Sequence, residues 1–126
     1  MRPFLSDNPM WEMWGMRPLA LAVYGGADLG EGRSTVERVG DDGSDDDWYR
    51  EWSDTARRIR DVADAARDAG HRRSAHEAFL RAAAYFQTAY SPLYGAPVDL
   101  RLVEAFDAAS ESLAAAATLA DHPVEA

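Results

Sequence analysis

Asp46 to Ser91 reads DDWYREWSDTARRIRDVADAARDAGHRRSAHEAFLRAAAYFQTAYS, and its periodicity decides the fold. Trp48, Trp52, Ala56, Ile59, Ala63 and Ala66 recur every three or four residues, the spacing that lines up one face of an α-helix. Arg57, Arg58, Arg60, Asp61, Asp64, Arg67 and Asp68 occupy most of the remaining arc. This predicts a helix over 46–69, stopped by Gly70. A second helix is predicted over 72–91. Its core face is Ala75, Phe79, Ala82, Phe86 and Ala89, widened by Ala78, Tyr85 and Tyr90. Ser74 and Glu77 have the spacing of a capping box at its start. Only Gly70 and His71 separate the two helices, a link so short that they must lie antiparallel.

Downstream, a third helix is predicted over 100–120, with Asp99 as its N-cap and Leu102, Phe106, Ala109, Leu113, Ala116 and Ala120 as its stripe. The connecting loop, Pro92 to Pro97, is apolar for a loop, so it is expected to pack against another surface. Upstream, Gly40 to Asp47 is an acidic turn. It lacks EF-hand spacing, and Ser44 or Asp45 reads as a cap for the next helix, with Asp46 and Asp47 at that helix's positive end. Residues 27–39 read as a weaker helix marked by Leu29, Val36 and Val39. Residues 16–24 are apolar and ambiguous on period alone. Residues 1–15, interrupted by Pro3, Pro9 and Gly15, read as an apolar arm that needs a surface to lie on. The expected architecture is all-α: a small antiparallel bundle of three long helices, with short N-terminal helices and an N-terminal arm. The expected division is an arm over 1–15, a helical domain over 16–121, and the start of a linker over 122–126.

Composition agrees. The 126 residues suit one domain. Alanine is abundant and Ile59 is the sole isoleucine, a balance that favours helix. All 13 cations are arginine, and against 22 carboxylates they leave a net charge of −9. An acidic chain without a basic stripe argues against nucleic acid and anionic membranes as partners. The chain has no cysteine, so disulfides, thiolate nucleophiles and cysteine-ligated metals are excluded. No apolar run approaches the length of a membrane span and no secretory signal is evident, which makes the cytoplasm the default location.

Residues able to make or break bonds are sparse. His71 and His76 are five apart and do not share a helical face; with His122 they read as surface or capping groups. There is no HExxH, no Walker sequence and no GxGxxG, and no metal or cofactor is expected. None of the eight serines lies in G-x-S-x-G, and all read as caps or helix surface. Tyr85, Tyr90 and Tyr94 gather near one helix end. With Tyr24 they line a candidate ligand pocket, or else they are core residues with polar tips.

Several stretches in order carry a resemblance. They are Tyr24-Gly25-Gly26-Ala27-Asp28-Leu29-Gly30-Glu31, Asp47-Trp48-Tyr49-x-Glu51-Trp52, Gly70-His71-x-x-Ser74-Ala75-x-Glu77-Ala78, and Leu80-Arg81-Ala82 with Tyr85. Together they resemble the N-terminal helical region of α/β-hydrolases of the dipeptidyl-aminopeptidase-like group. That group includes dihydroxypseudooxynicotine hydrolases and polyketide-shortening hydrolases. Ser91 to Asp99 looks like an actinobacterial branch of it.

The resemblance covers residues 16 to 126. It implies a lid over a serine hydrolase active site that cleaves C–C, ester or amide bonds of a small acyl or aryl-ketone substrate. The family's nucleophile elbow and triad have no counterpart here, so the chain is expected to be non-catalytic alone. Tyr24, Asp28, Tyr85 and Tyr90 are the expected pocket-facing residues. The expected partner is an α/β-hydrolase catalytic domain, in cis or in trans. The alternative is a stand-alone, non-enzymatic helical binding or dimerisation module derived from that lid, with itself (as a homodimer) as the partner.

Overall fold

A computed structural model describes residues 3–120. Among them the chain is helical without strands: α1 (Pro9–Leu19), α2 (Leu29–Val39), α3 (Asp45–Asp68), α4 (Arg72–Ala89) and α5 (Leu100–Thr118), with 3-10 turns at Ala22–Tyr24 and Ser91–Leu93. This is the all-α bundle expected. No described helix is long and apolar enough to cross a membrane. The linker expected over 122–126 lies outside the described residues.

The central pair forms as its periodicity predicts. Trp48, Trp52, Ala56, Ile59 and Ala63 of α3 are buried, and so are Ala75, Ala78, Phe79, Ala82, Tyr85, Phe86 and Ala89 of α4. Gly70 turns the chain at φ 80°, a left-handed conformation that costs a glycine nothing. Ser44, rather than Asp45, caps α3: its side chain accepts from Asp47 N–H, and the Asp47 carboxylate accepts from Ser44 N–H. Helix α4 begins at Arg72, where its period puts it, but the capping box does not form: His71 is the N-cap residue and makes no side-chain bond, and Ser74 is already inside the helix.

Helix α4 is the hub, packing against α3, α5 and α1. Its neighbour α5 starts at the expected cap, the Asp99 side chain accepting from Arg101 N–H. It ends beneath Arg72, whose guanidinium donates to the carbonyls of Thr118, Leu119 and Ala120. The expected stripe is only partly inward: Ala116 is buried and Leu102, Ala109 and Ala120 are half-buried, but its two largest later members are not. Ala105, Ser112 and Ala116 are buried, whereas Phe106 and Leu113 remain 53% and 55% exposed. Small side chains permit close approach, so α5 docks on its alanine arc and leaves its large residues at the margin.

The N-terminal segment is no loose arm. Asn8 caps α1, and the helix runs unbroken across residues 15 and 16, where arm and domain were divided. Gly15 does not interrupt it: a Cβ there would stand 2.7 Å from Leu5 Cδ1 and 3.2 Å from Val36 Cγ2, so the glycine permits contact with α2. Trp11 stacks on Trp48 at 4.8 Å between centroids, Trp14 meets Trp48 at 5.7 Å, Trp48 meets Trp52 at 5.5 Å, and Trp52 meets Tyr85 at 5.6 Å. All four tryptophans thus form one aromatic column from α1 through α3 to α4. Trp48 Nε1 donates to Thr88 O at 2.9 Å, and Trp11 Nε1 donates to Gly40 O at 3.1 Å. Glu12 folds the preceding residues back, accepting from the N–H groups of Phe4, Leu5 and Ser6.

Helix α2 is held by two polar clasps. On α3, Thr55 and Thr35 hydroxyls meet at 2.8 Å. The Thr35 proton is committed to Glu31 O, so Thr55 is the donor, and Arg38 donates to both oxygens. On α4, Tyr85 donates to Glu31 Oε1 at 2.7 Å and accepts from Asp28 N–H at 2.8 Å, while Arg81 Nε donates to the same carboxylate oxygen at 2.9 Å. Burial pushes the Tyr85 hydroxyl far above the usual phenol range, which keeps it a donor at all ordinary pH.

Three predictions follow from this packing. Trp48→Ala should cost about 3–5 kcal/mol in urea unfolding, because it opens the middle of the aromatic column. Tyr85→Phe should cost about 1–3 kcal/mol, since it strands the Asp28 N–H and removes a donor from Glu31. The third concerns acid. Partial burial raises Glu12, but the N–H groups of Leu5, Ser6 and Phe4 outweigh it and hold its carboxyl below the ordinary 4.5. Asp47 is lowered from 3.8 by the Ser44 N–H and Arg50, and Asp99 from 3.8 by Arg101. Groups depressed in the folded state stabilise it above their unfolded pKa and lose that contribution as pH falls through the folded value. The urea midpoint should therefore hold from neutrality down to about pH 5 and decline below about 4.5.

Candidate functional site

The exposed side of α5 borders a surface depression. The 3-10 turn at Ala22–Tyr24 ends at Gly25, φ 77°, and leaves Leu21 and Tyr24 standing beside α4. Tyr24 is 81% exposed. Across from it stand Leu80 and Ala83 of α4 and Phe106, Ala109 and Leu113 of α5, enclosing a hollow of about 430 Å³. A second hollow of about 490 Å³ opens on the α1 side, between Trp14, Arg17, Ser91 and Tyr94. Leu21, Ala84, Gln87 and Tyr90 line both, so the two hollows adjoin as halves of one trough, with these shared residues between them.

The four expected pocket residues divide evenly. Tyr24 and Tyr90 border the trough. Tyr90 is largely buried between the two halves, with its ring 5.9 Å from Tyr94 and 6.4 Å from Phe106, and burial raises its hydroxyl pKa. Tyr85 is instead fully buried against Trp52, its hydroxyl bonded to both Asp28 and Glu31, so the core alternative describes it. Asp28 is the N-cap of α2, its carboxylate accepting from Glu31 N–H at 3.0 Å. Neither Tyr85 nor Asp28 lines either hollow. Tyr94, expected near the same helix end, is 72% exposed. In its loop only Leu93 packs inward; Val98 is left open.

Phe106, Leu113, Leu21, Trp14 and Arg17 were not among the expected pocket residues. The available signal was in α5, which is apolar on two arcs, Ala105–Ala108–Ala116 as well as Leu102–Phe106–Leu113. A helix with more apolar surface than one neighbour can take presents the rest elsewhere.

The serines are more varied than caps and surface. Ser44 caps, but Ser6, Ser53 and Ser112 are buried. Ser6 donates to Asp41 Oδ1 at 2.6 Å and Ser112 to Ala108 O at 2.8 Å, while Ser53 Oγ has no partner among the described residues. His71 is exposed, whereas His76 is half-buried. Its Nδ1 lies 2.7 Å from Ala116 O, which requires that nitrogen to carry the proton. Neither hollow of the trough is lined by a histidine or a carboxylate. Its chemistry is that of a wall: apolar and aromatic faces with a few hydroxyl and amide groups where the halves adjoin, able to bind, orient and exclude water.

No family model and no solved structure matches the chain. Curated relatives do. A 20-hydroxy-prefusarin hydrolase of Gibberella moniliformis is 34% identical over 102 residues, 81% of this chain and 24% of the relative. The α/β hydrolase pydG of an Acremonium species is 33% identical over 119 residues, 94% of this chain and 27% of the relative. The hydrolase acrC of Aspergillus aculeatus is 37% identical over 92 residues, 73% of this chain and 21% of the relative. These relatives are fungal and lend no support to an actinobacterial affinity. The chain spans about a quarter of the length of the curated relatives it matches. It is therefore a homologue of part of the α/β-hydrolases, the group its motifs resemble.

Proposed function

We propose that the chain is the helical cover of a serine α/β-hydrolase, seated on the catalytic part through its trough and forming one wall of the substrate pocket. The observation that carries this reading is the apolar trough itself. In a chain of net charge −9, Leu21 and Tyr24 at the 3-10 turn and Phe106 and Leu113 of α5 stand together in the open. Contiguous apolar surface of this kind ordinarily marks a binding face. The relatives are some four times as long as the stretch they share with this chain, which leaves room for a catalytic domain to supply nucleophile, base and oxyanion donors.

On this reading Tyr24 and Tyr90 face the substrate, a small acyl or aryl-ketone compound hydrolysed at a C–C, ester or amide bond. Asp28 and Tyr85 act at one remove by holding α2 against α4. The cover's contributions are water exclusion and positioning. A second reading, self-association as a homodimer, draws on other exposed apolar residues, Val98, Leu100 and Val103, where α5 begins.

The test uses the catalytic part of a hydrolase of this group, expressed without its matching helical quarter and titrated with this chain. Sedimentation should show a complex, and hydrolysis of p-nitrophenyl esters should change. The pair Phe106→Ser and Leu113→Asp should weaken the complex by about tenfold or more. Neither complex nor rate change, combined with a dimer of the chain alone that Leu100→Asp breaks, would favour the second reading.

A further inference from the structure

We infer that the trough is selective for amphipathic organic anions: a flat aromatic or conjugated body in the α4–α5 half, and a carboxylate or enolate oxygen at Arg17. This rests on the trough being the substrate wall proposed above, and it assigns that wall a ligand class.

Three observations carry it. The first is electrostatic. The chain has 22 acidic residues, yet none lines either hollow, and Arg17 is the single charged group in the lining. The one formal charge in the lining is therefore positive and sits at the α1 end; the next ionic groups, Arg73 and Glu77, lie beyond Tyr24 and Leu80 in a neighbouring hollow, and the molecule as a whole is anionic. The second is the state of that guanidinium. Arg17 sits in the last turn of α1, where a cation also meets the negative end of the helix, but it forms no ion pair or side-chain hydrogen bond among the described residues. Arg38, Arg81 and Arg101 are each held by carboxylates; Arg17, like Arg58 and Arg60, is not, but of these three it alone lines the trough. An arginine with its donors unspent can accept a planar oxyanion in a two-pronged contact.

The third observation is shape. The hollow holding Arg17 also holds Trp14 and Tyr94, flat faces beside the charge, and it adjoins the hollow holding Phe106 and Leu113 at Tyr90. An elongated ligand spans both halves, with its charged end at α1 and its apolar end at α5. A compact polar anion would leave the Phe106 end unfilled, and a neutral hydrocarbon would leave Arg17 unused.

The experiment compares two fluorescent probes of nearly the same body on the 126-residue chain: 8-anilinonaphthalene-1-sulfonate, which is anionic, and N-phenyl-1-naphthylamine, which is neutral. The anionic probe should bind at least about fivefold more tightly. Arg17→Gln should abolish that preference while changing the neutral probe less than about twofold, and Arg17→Lys should restore part of it. Leu113→Asp should weaken both probes, and circular dichroism would verify that each variant is folded. Equal binding of the two probes, an Arg17→Gln loss shared by both, or no binding of either would each overturn the assignment. None of these outcomes bears on association with a catalytic domain, which the titration above measures separately.

Discussion

The column of aromatic rings is the constraint on which the rest depends. Four tryptophans and Tyr85 are contributed by three helices, and each ring touches the next. Large rings bury much apolar area at little entropic cost, and offset or tilted contacts add to it. The column does more than fill space. Through Trp11 and Trp14 it fastens α1, a segment too short to hold itself as a helix, to the α3–α4 hairpin. Through the indole bond to Thr88 O it sets the rotation of α3 against the end of α4. With α1 placed, Trp14 and Arg17 necessarily stand over the Tyr90 end of α4, and half of the trough exists.

The other half follows from how α5 docks. A helix rich in alanine can approach its neighbour closely, and α5 does so through Ala105, Ser112 and Ala116. The gain in close packing has a geometric consequence. The larger side chains on the adjacent arc cannot also be buried, and with no further helix packed on them among the described residues they become the outer bank of the trough. Exposure of Phe106 and Leu113 is thus a result of the packing choice rather than a defect in it.

The motifs that carry the family resemblance are mostly structural. The Asp28–Glu31 segment meets Tyr85 and Arg81 in one hydrogen-bonded clasp, and Trp48 and Trp52 are the middle of the column. Tyr24 is the exception, carried out to the surface by the glycine turn after it. A resemblance carried by such residues speaks first for a shared frame. What the frame is shaped to hold is decided by the surface between the motifs, where Leu21, Arg17 and Leu113 lie.

Much of the fold was readable from periodicity and caps. The Trp48–Ala63 and Ala75–Ala89 faces, the Gly70 stop, and the Ser44 and Asp99 caps are local signals, and local hydrogen bonding and helical phase are enough to express them. The cap of α4 fell on His71 rather than Ser74 because the helix was already under way there, and α1 was hidden because Gly15 and Pro18 lie inside it, although Asn8 and Pro9 mark its start and contact with Trp48 holds it. The site was half legible. Tyr24 and Tyr90 could be named because aromatic residues near a helix end are visible in sequence; Tyr85 has the same local signature but points the other way around α4. Which arc of α5 would be buried, and where Arg17 would come to rest, depended on helices distant in the chain. Periodicity gives each helix a face; only the competition among faces for one core decides which of them is left to meet another molecule.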